Sequence, residues 1–448
     1  MNASFTPHVA FRYSPERRTA LVLCGTGAHG AYHAGVLRAL QEAGVKIDVM
    51  AGQGMGAASA ALAAIDGAAR LWDTDGVWRG RAVQALYRWK WPLRAAGWLV
   101  LLLVAAVGVP SLLPAIGLSA DAAAWRLVPV LLISVLVLLI VVGGALTEPR
   151  GGGRRRVEGR PWWRVLGAPL DVEGAREVFS DALWQLIRGA SHVARPSGPA
   201  LGRRYADMLA DNLGQPGFRE LMLVVTDLDS RRDLVAALLR DPYQAGFVAP
   251  RPATERQSEI VDLLGATARD HVFAVIAAAL TPPVACDPQP LTFGVDSYWR
   301  GEIHRLCDRP GACVRLLEEL AAAGVSQAIV VSAVAAPRAP HRLTAARLDL
   351  RHRLGEFLGA AEGAALRDAI ELARLRFDSV YLICPAHNPV GAFDFTGAYD
   401  EASDRKQDLV ELMQRAYEDA YQQFIEPVVG ASGEQLARAN PPSGDVPR

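Results

Sequence analysis

The chain has 448 residues, and hydrophobic side chains make up 51% of it, enough for one large core or two ordinary ones. Lysine plus arginine and aspartate plus glutamate both number 47, so no global field favours nucleic acid or another polyanion. The five cysteines (Cys24, Cys286, Cys307, Cys313, Cys384) show no C-x-x-C pair, which predicts reduced thiols, no disulfide and no zinc site.

In chain order, residues 1–17 form an N-terminal extension with no apolar leader segment, so no secretory signal is expected. "TALVLCGTGAHGAYHAGVLRALQEAG" then predicts a buried strand, a glycine loop and a helix with apolar residues at helical spacing. A second apolar run, "VKIDVM", leads into "AGQGMGAAS" and an alanine-rich helix, a strand, a sharp turn and a helix with Gly54 at the apex.

Two uncharged runs follow, 95–113 and 127–146, each long enough to cross ~30 Å of hydrocarbon. Basic flanks ("YRWKWPLR" and "RGGGRRRVEGR") enclose them, and Trp89, Trp91, Trp98 and Trp125 sit near their ends. The pattern predicts a transmembrane hairpin over 95–146 and a basic linker over 147–160, with both termini cytoplasmic and 115–126 outside. The localisation expected is an inner-membrane protein with two spans and its α/β domain on the cytoplasmic side. Pro110 and Pro129 lie close to the helix ends, where they do little harm. A helical hairpin buried in a large core is the alternative.

The remainder reads as α/β. "ELMLVVTDL", "SQAIVVSAV" and "SVYLICPA" are further buried-strand candidates between helical stretches, which implies a mostly parallel sheet with helices on both faces. "ASDRKQDLVELMQRAYEDAYQQFIEP" is an amphipathic helix expected to stop at Pro427, and 431–448 reads as a flexible tail.

Gly25, Gly27 and Gly30 match G-x-G-x-x-G after a strand, with Asp48 about 20 residues on, a dinucleotide-binding spacing. Against a nicotinamide site stands the second glycine turn, "GQGMG", which such a fold has no need for. The two turns together resemble the opening of the patatin-like phospholipase family, a glycine-rich G-G-G-x-R-G loop followed by a strand and a G-x-S-x-G elbow. "LMLVVTDLDSRRDL" is similar to that family's T-D-L strand, and "VFAVIAAALTPPVACDPQPLTFGVDSYWRGEI" to its A-S-x-A-x-P-x-x-F-x-P segment and the D-G-G/A segment beyond.

The resemblance implies a patatin-like three-layer fold over 18–94 and 161–430, interrupted by the hairpin. It implies a serine at the elbow, an aspartate base, and backbone N–H donors in the glycine loop for the oxyanion. Carried over residue by residue, the loop corresponds to Gly25, Thr26, Gly27 and Gly30, with His29 where the family usually has arginine. The elbow corresponds to Gly52, Gly54, Met55 and Gly56.

Gly54 stands at the nucleophile position and Arg300, from "YWRGEI", at the base position, with Asp296 close enough to be considered. Glycine has no group to react, and guanidinium cannot accept a proton at physiological pH. The substitutes are poorly placed, since Ser59 lies more than a turn down the helix and Ser297 precedes the base segment. His33, His304, His387 and Asp227 read as structural or ordinary. The expectation is a protein of lipid metabolism without serine-hydrolase activity, binding a phospholipid, fatty-acyl group or similar anion, with no cofactor and no nucleic-acid partner. The alternative is an active acyl hydrolase that uses non-standard residues.

Overall fold

The structure, a computed structural model, describes residues 13–112, 128–138, 167–252, 258–294, 299, 301–335 and 348–430. They form two compact units, and residues 87–172 with 284–287 make up the second.

The first unit is built on a nine-stranded sheet. Its strands are β1 (Thr19–Gly25), β2 (Val49–Gly54), β3 (Glu220–Asp227), β4 (Arg232–Leu238), β5 (Ser258–Asp262), β6 (Gln289–Thr292), β7 (Ile303–Cys307), β8 (Gln327–Ser332) and β9 (Ser379–Ile383). The main path runs β9-β8-β1-β2-β3-β4-β5, parallel from β9 to β3 and again between β4 and β5. β4 and β7 join β3 antiparallel, and β6 pairs antiparallel with β7. The central strands are apolar runs without alternation because both faces of the sheet are covered: every residue of β1, β2, β3 and β8 is buried.

The helices that matter for the site are α1 (Gly30–Glu42), α2 (Met55–Ala63), α3 (Cys313–Ala322), α4 (Leu350–Ala373) and α5 (Leu409–Ala420). Leu316, Leu320 and Leu366 pack against Val22, Met222 and Val330 on one face of the sheet. On the other face α2 lies so close to β1 that a Cβ at Gly56 would overlap the Leu23 carbonyl. Asp349 and Asp408 cap α4 and α5 by accepting the amides of His352 and Glu411, at 3.0 and 2.8 Å. Pro427 does not stop the last helix: α5 passes into a π-helical stretch, Tyr421–Gly430, whose wider turns contain the proline.

The second unit corrects the membrane reading. Among the described residues no helix is long and apolar enough to cross a membrane, so neither the transmembrane hairpin nor the two-span inner-membrane localisation stands. The helix Trp91–Leu112 carries the first apolar run, but its described side chains end at residue 106, and the second run is helical over 128–138. The loop 115–126 and the linker 147–160 lie outside the described residues, as do 1–12 and the tail 431–448. What anchors this unit locally is a short antiparallel pair, Arg88–Trp89 with Leu170–Asp171, and an ion pair between Lys90 and Asp287.

Candidate functional site

β1 and β2 end side by side, with Gly25 opposite Gly54 in the parallel register. Gly54 takes φ 60° and ψ −131° between the last residue of a strand and the first of a helix, the geometry of a nucleophile elbow and a region that ordinary residues enter only under strain. The flanking glycines have separate reasons. A Cβ at Gly52 would strike the backbone of Gly56 and Ala57, and Gly56 is pressed against Leu23. Ser59 is buried within α2, away from the apex, with its hydroxyl unpartnered.

The space above Gly54 is filled. A Cβ placed there would lie 2.5 Å from the Gly25 carbonyl oxygen and 2.9 Å from Oδ2 of Asp308. Asp308 is the carboxylate beside the elbow, and the sequence reading overlooked it. Arg300, Asp296 and Ser297 lie outside the described residues.

Topology puts Asp308 there. β7 pairs with Thr226 and Asp227 of β3 beyond the last residue of β3 that β2 reaches, so the residue following Cys307 arrives over the end of β2. Gln53 then clamps the connection to α3, donating to the Arg309 carbonyl at 3.0 Å and accepting from the Cys313 amide at 2.9 Å. Arg309 is tied to Asp233, which also accepts from Thr226 Oγ1 at 2.6 Å. The available signal was "IHRLCDRPGA", a short strand followed by Asp with Gly-Ala three residues later.

Asp308 is fully buried, and burial pushes its carboxyl up to about 6. Thr26 Oγ1 donates to its Oδ2 at 3.1 Å and the Arg309 amide to its Oδ1 at 2.8 Å. The buried Glu362, with one carboxyl oxygen unpartnered, is raised well above the ordinary carboxylate range by burial and by Asp308. An acid held neutral beside a second buried carboxyl avoids placing two charges in one dry site.

The glycine loop is equally closed. Gly27 has φ 59°, and a Cβ there would overlap the Ala392 carbonyl oxygen, which accepts the Ala28 amide at 2.8 Å. His29 is 3% exposed; burial, with His33 beside it, lowers it to about 4, while its contact with the Val390 carbonyl acts the other way. It is therefore neutral at pH 7 and supplies no positive charge for an anion. His33 is likewise lowered to about 4 by burial and bonds the Cys24 carbonyl at 2.9 Å. Gly30 lets α1 approach Trp78 and Met55, a packing role.

Two histidines read as ordinary do have carboxylate partners. His304 Nδ1 meets Asp227, the aspartate of the T-D-L strand, and His387 Nε2 meets Asp400 at 2.9 Å. Among the described residues no group of three or more His, Cys, Asp and Glu could hold a metal ion, and the five cysteines are free and buried. A cleft of about 630 Å³ elsewhere in this unit is lined by Arg176, Glu177, Arg195 and Asp270, but by no residue of the elbow or glycine loop.

A glycine loop and a strand–turn–helix elbow at the ends of adjacent parallel strands, with a carboxylate brought over the apex, define a patatin-type α/β hydrolase architecture. A family model described as patatin-like phospholipase matches residues 21–299, more than half of the chain, and the chain belongs to that family. Among solved structures it is similar to VipD from Legionella pneumophila at 12% identity and a TM-score of 0.30, over 93% of this chain and 67% of that one. Among curated protein sequences, none is significantly similar to it.

Proposed function

We propose that the chain is a member of the patatin-like phospholipase family that lacks serine-hydrolase chemistry and binds a phospholipid or fatty-acyl group. The observation that carries this is Gly54, which keeps the backbone of a nucleophile elbow and has no side chain on it. A nucleophile needs a hydroxyl in reach of a base and donors aimed at the developing charge. Here a carboxyl, Asp308, lies beside the elbow, and the place of a serine side chain is taken by the Gly25 carbonyl and the Asp308 carboxyl. Charge balance offers no reason to expect a nucleic-acid partner.

The test combines a fluorophosphonate probe, a phospholipid hydrolysis assay and binding of a fluorescent fatty acid. The expected result is no covalent labelling and no hydrolysis, with saturable fatty-acid binding. Labelling of the unmodified chain overturns the non-hydrolytic reading, and absence of binding overturns the lipid reading.

One observation favours a second reading. Thr26 Oγ1 lies 3.1 Å from Asp308 Oδ2, a hydroxyl and a carboxyl in hydrogen-bond reach, with the hydroxyl on the glycine loop. In an acyl hydrolase built this way the threonine oxygen would attack the ester carbonyl carbon and its proton would pass to the Asp308 carboxylate. The alcohol would leave with that proton, and water would then cleave the acyl-threonine ester. Hydrolysis that is present in the unmodified chain and abolished by Thr26→Val selects this reading; hydrolysis that survives Thr26→Val excludes it.

A further inference from the structure

The segment from Asn388 to Phe395 crosses the glycine loop without forming a helix or strand, and it lies beyond residues 21–299 that match the family. The Ala392 carbonyl oxygen accepts the Ala28 amide at 2.8 Å, and the Phe395 ring comes within 3.5 Å of the place where a Cβ of Gly27 would stand. His29 is turned toward the Val390 carbonyl. Val390, Ala392, Phe393 and Phe395 are all buried, and so are Gly25, Thr26 and Gly27 of the loop. A carbonyl oxygen directed at an N–H beside a helix start uses the dipole that would otherwise attract an anion.

We propose that residues 388–395 are an internal plug. Its Ala392 carbonyl stands in for the anionic oxygen of a lipid, a carboxylate or a phosphate, and the segment must leave before such a group can reach the loop. The ligand class rests on the lipid-binding reading given above; the plug rests on the contacts. Polar ties hold the segment both to its surroundings and within itself, and the Arg351 guanidinium lies over the Phe395 ring. Asn388 donates to the Ala333 carbonyl at 3.0 Å and its Oδ1 accepts the Val390 amide at 3.0 Å. Asp394 accepts the Gly391 amide at 2.7 Å and pairs with His352 Nε2 at 3.0 Å. On the far side of Asp394, Gly397 turns the chain at φ 79°. None of these ties involves the glycine loop itself, so they can be cut without touching it. Irregular segments can open separately from the elements around them, and the polar ties named above are contacts that substitution can remove.

The experiment uses the full chain and two readouts, amide hydrogen exchange at Ala28 and binding of oleate, with inorganic phosphate as the headgroup-only control. In Asn388→Ala/Asp394→Ala, exchange at Ala28 should rise at least tenfold while amides in the middle of α1 stay protected. Oleate should bind about tenfold tighter than to the unmodified chain, and His352→Gln should move both readouts in the same direction by less. Tighter binding of phosphate alone in the opened variant assigns the site to the headgroup and supports the plug.

Unchanged exchange at Ala28 in the folded variant overturns the plug. Faster exchange with equal oleate affinity overturns it as a gate and leaves lipid binding elsewhere standing. Faster exchange with no binding of oleate or phosphate by any form overturns both the gate and the lipid reading. If the double variant loses protection globally, His352→Gln decides, and no change in either readout for it overturns the plug.

Discussion

The elbow helix α2 and the helix Trp91–Leu112 have similar apolar compositions and opposite surroundings. Every residue of α2 is buried, whereas Trp98 and Leu101 are 64% and 56% exposed. Hydropathy reports which groups a segment lacks, and it does not report what covers the segment. The elbow was legible because its signal is geometric. Gly52, Gly54 and Gly56 stand close together in the chain between a strand and a helix, each where a Cβ would clash, while the apolar run offered only length and basic flanks.

That contrast is broken or sharpened by substitution, and the largest effect is expected at the apex. Gly54→Ser forces a side chain into a positive-φ position against the Gly25 carbonyl. It should lower the unfolding free energy in urea by about 2 to 5 kcal/mol, combining backbone strain with overpacking. A loss under ~1 kcal/mol would mean that the elbow is as tolerant as an exposed helix. Because Asp308 is already present, serine alone supplies the missing group, so fluorophosphonate labelling of a folded Gly54→Ser would show that the Gly25 carbonyl can swing aside.

Next come the buried histidines. His29 and His33 fall from 6.5 to about 4 on folding, so the unfolded chain binds their protons first and stability is lost as pH drops from 6.5 toward 4. For one histidine the loss is at most about 3.5 kcal/mol at 1.36 kcal/mol per pH unit. His33→Asn should flatten this acid limb in a series of urea midpoints, and a limb of unchanged steepness would show that His33 is not held neutral.

Asp308 acts in the opposite direction. Its carboxyl rises from 3.8 to about 6 on folding, so it favours the folded state below pH 3.8 and that contribution disappears as pH rises through 6. Relative to the unmodified chain, Asp308→Asn should therefore gain up to about 3 kcal/mol between pH 4 and pH 7. A difference independent of pH would place Asp308 in contact with solvent. The smallest effect belongs to the exposed helix, where Leu101→Gln should change stability by less than ~0.5 kcal/mol. A loss above ~2 kcal/mol would show that something buries Leu101 in solution.

The sequence by itself determined the family, the strand–loop–helix at Thr19–Glu42, the empty apex at Gly54 and the α/β class. All of these rest on local patterns: buried strands read as continuous apolar runs, and glycines stand where Cβ atoms do not fit. Only the tertiary structure decided what faces the apex. Asp308 is distant from Gly54 in sequence and reaches it because β7 pairs with β3 past the reach of β2, an arrangement with no short-range signature. The Ala392 carbonyl on Ala28 is longer in range still, and no residue type marks it, since any backbone carbonyl can accept that bond. The burial of His29, which removes the charge its position suggested, depends on Val390 and His33 packing around it. Composition can name a group that ionises in water, but the pKa is set by neighbours that only the folded chain brings together.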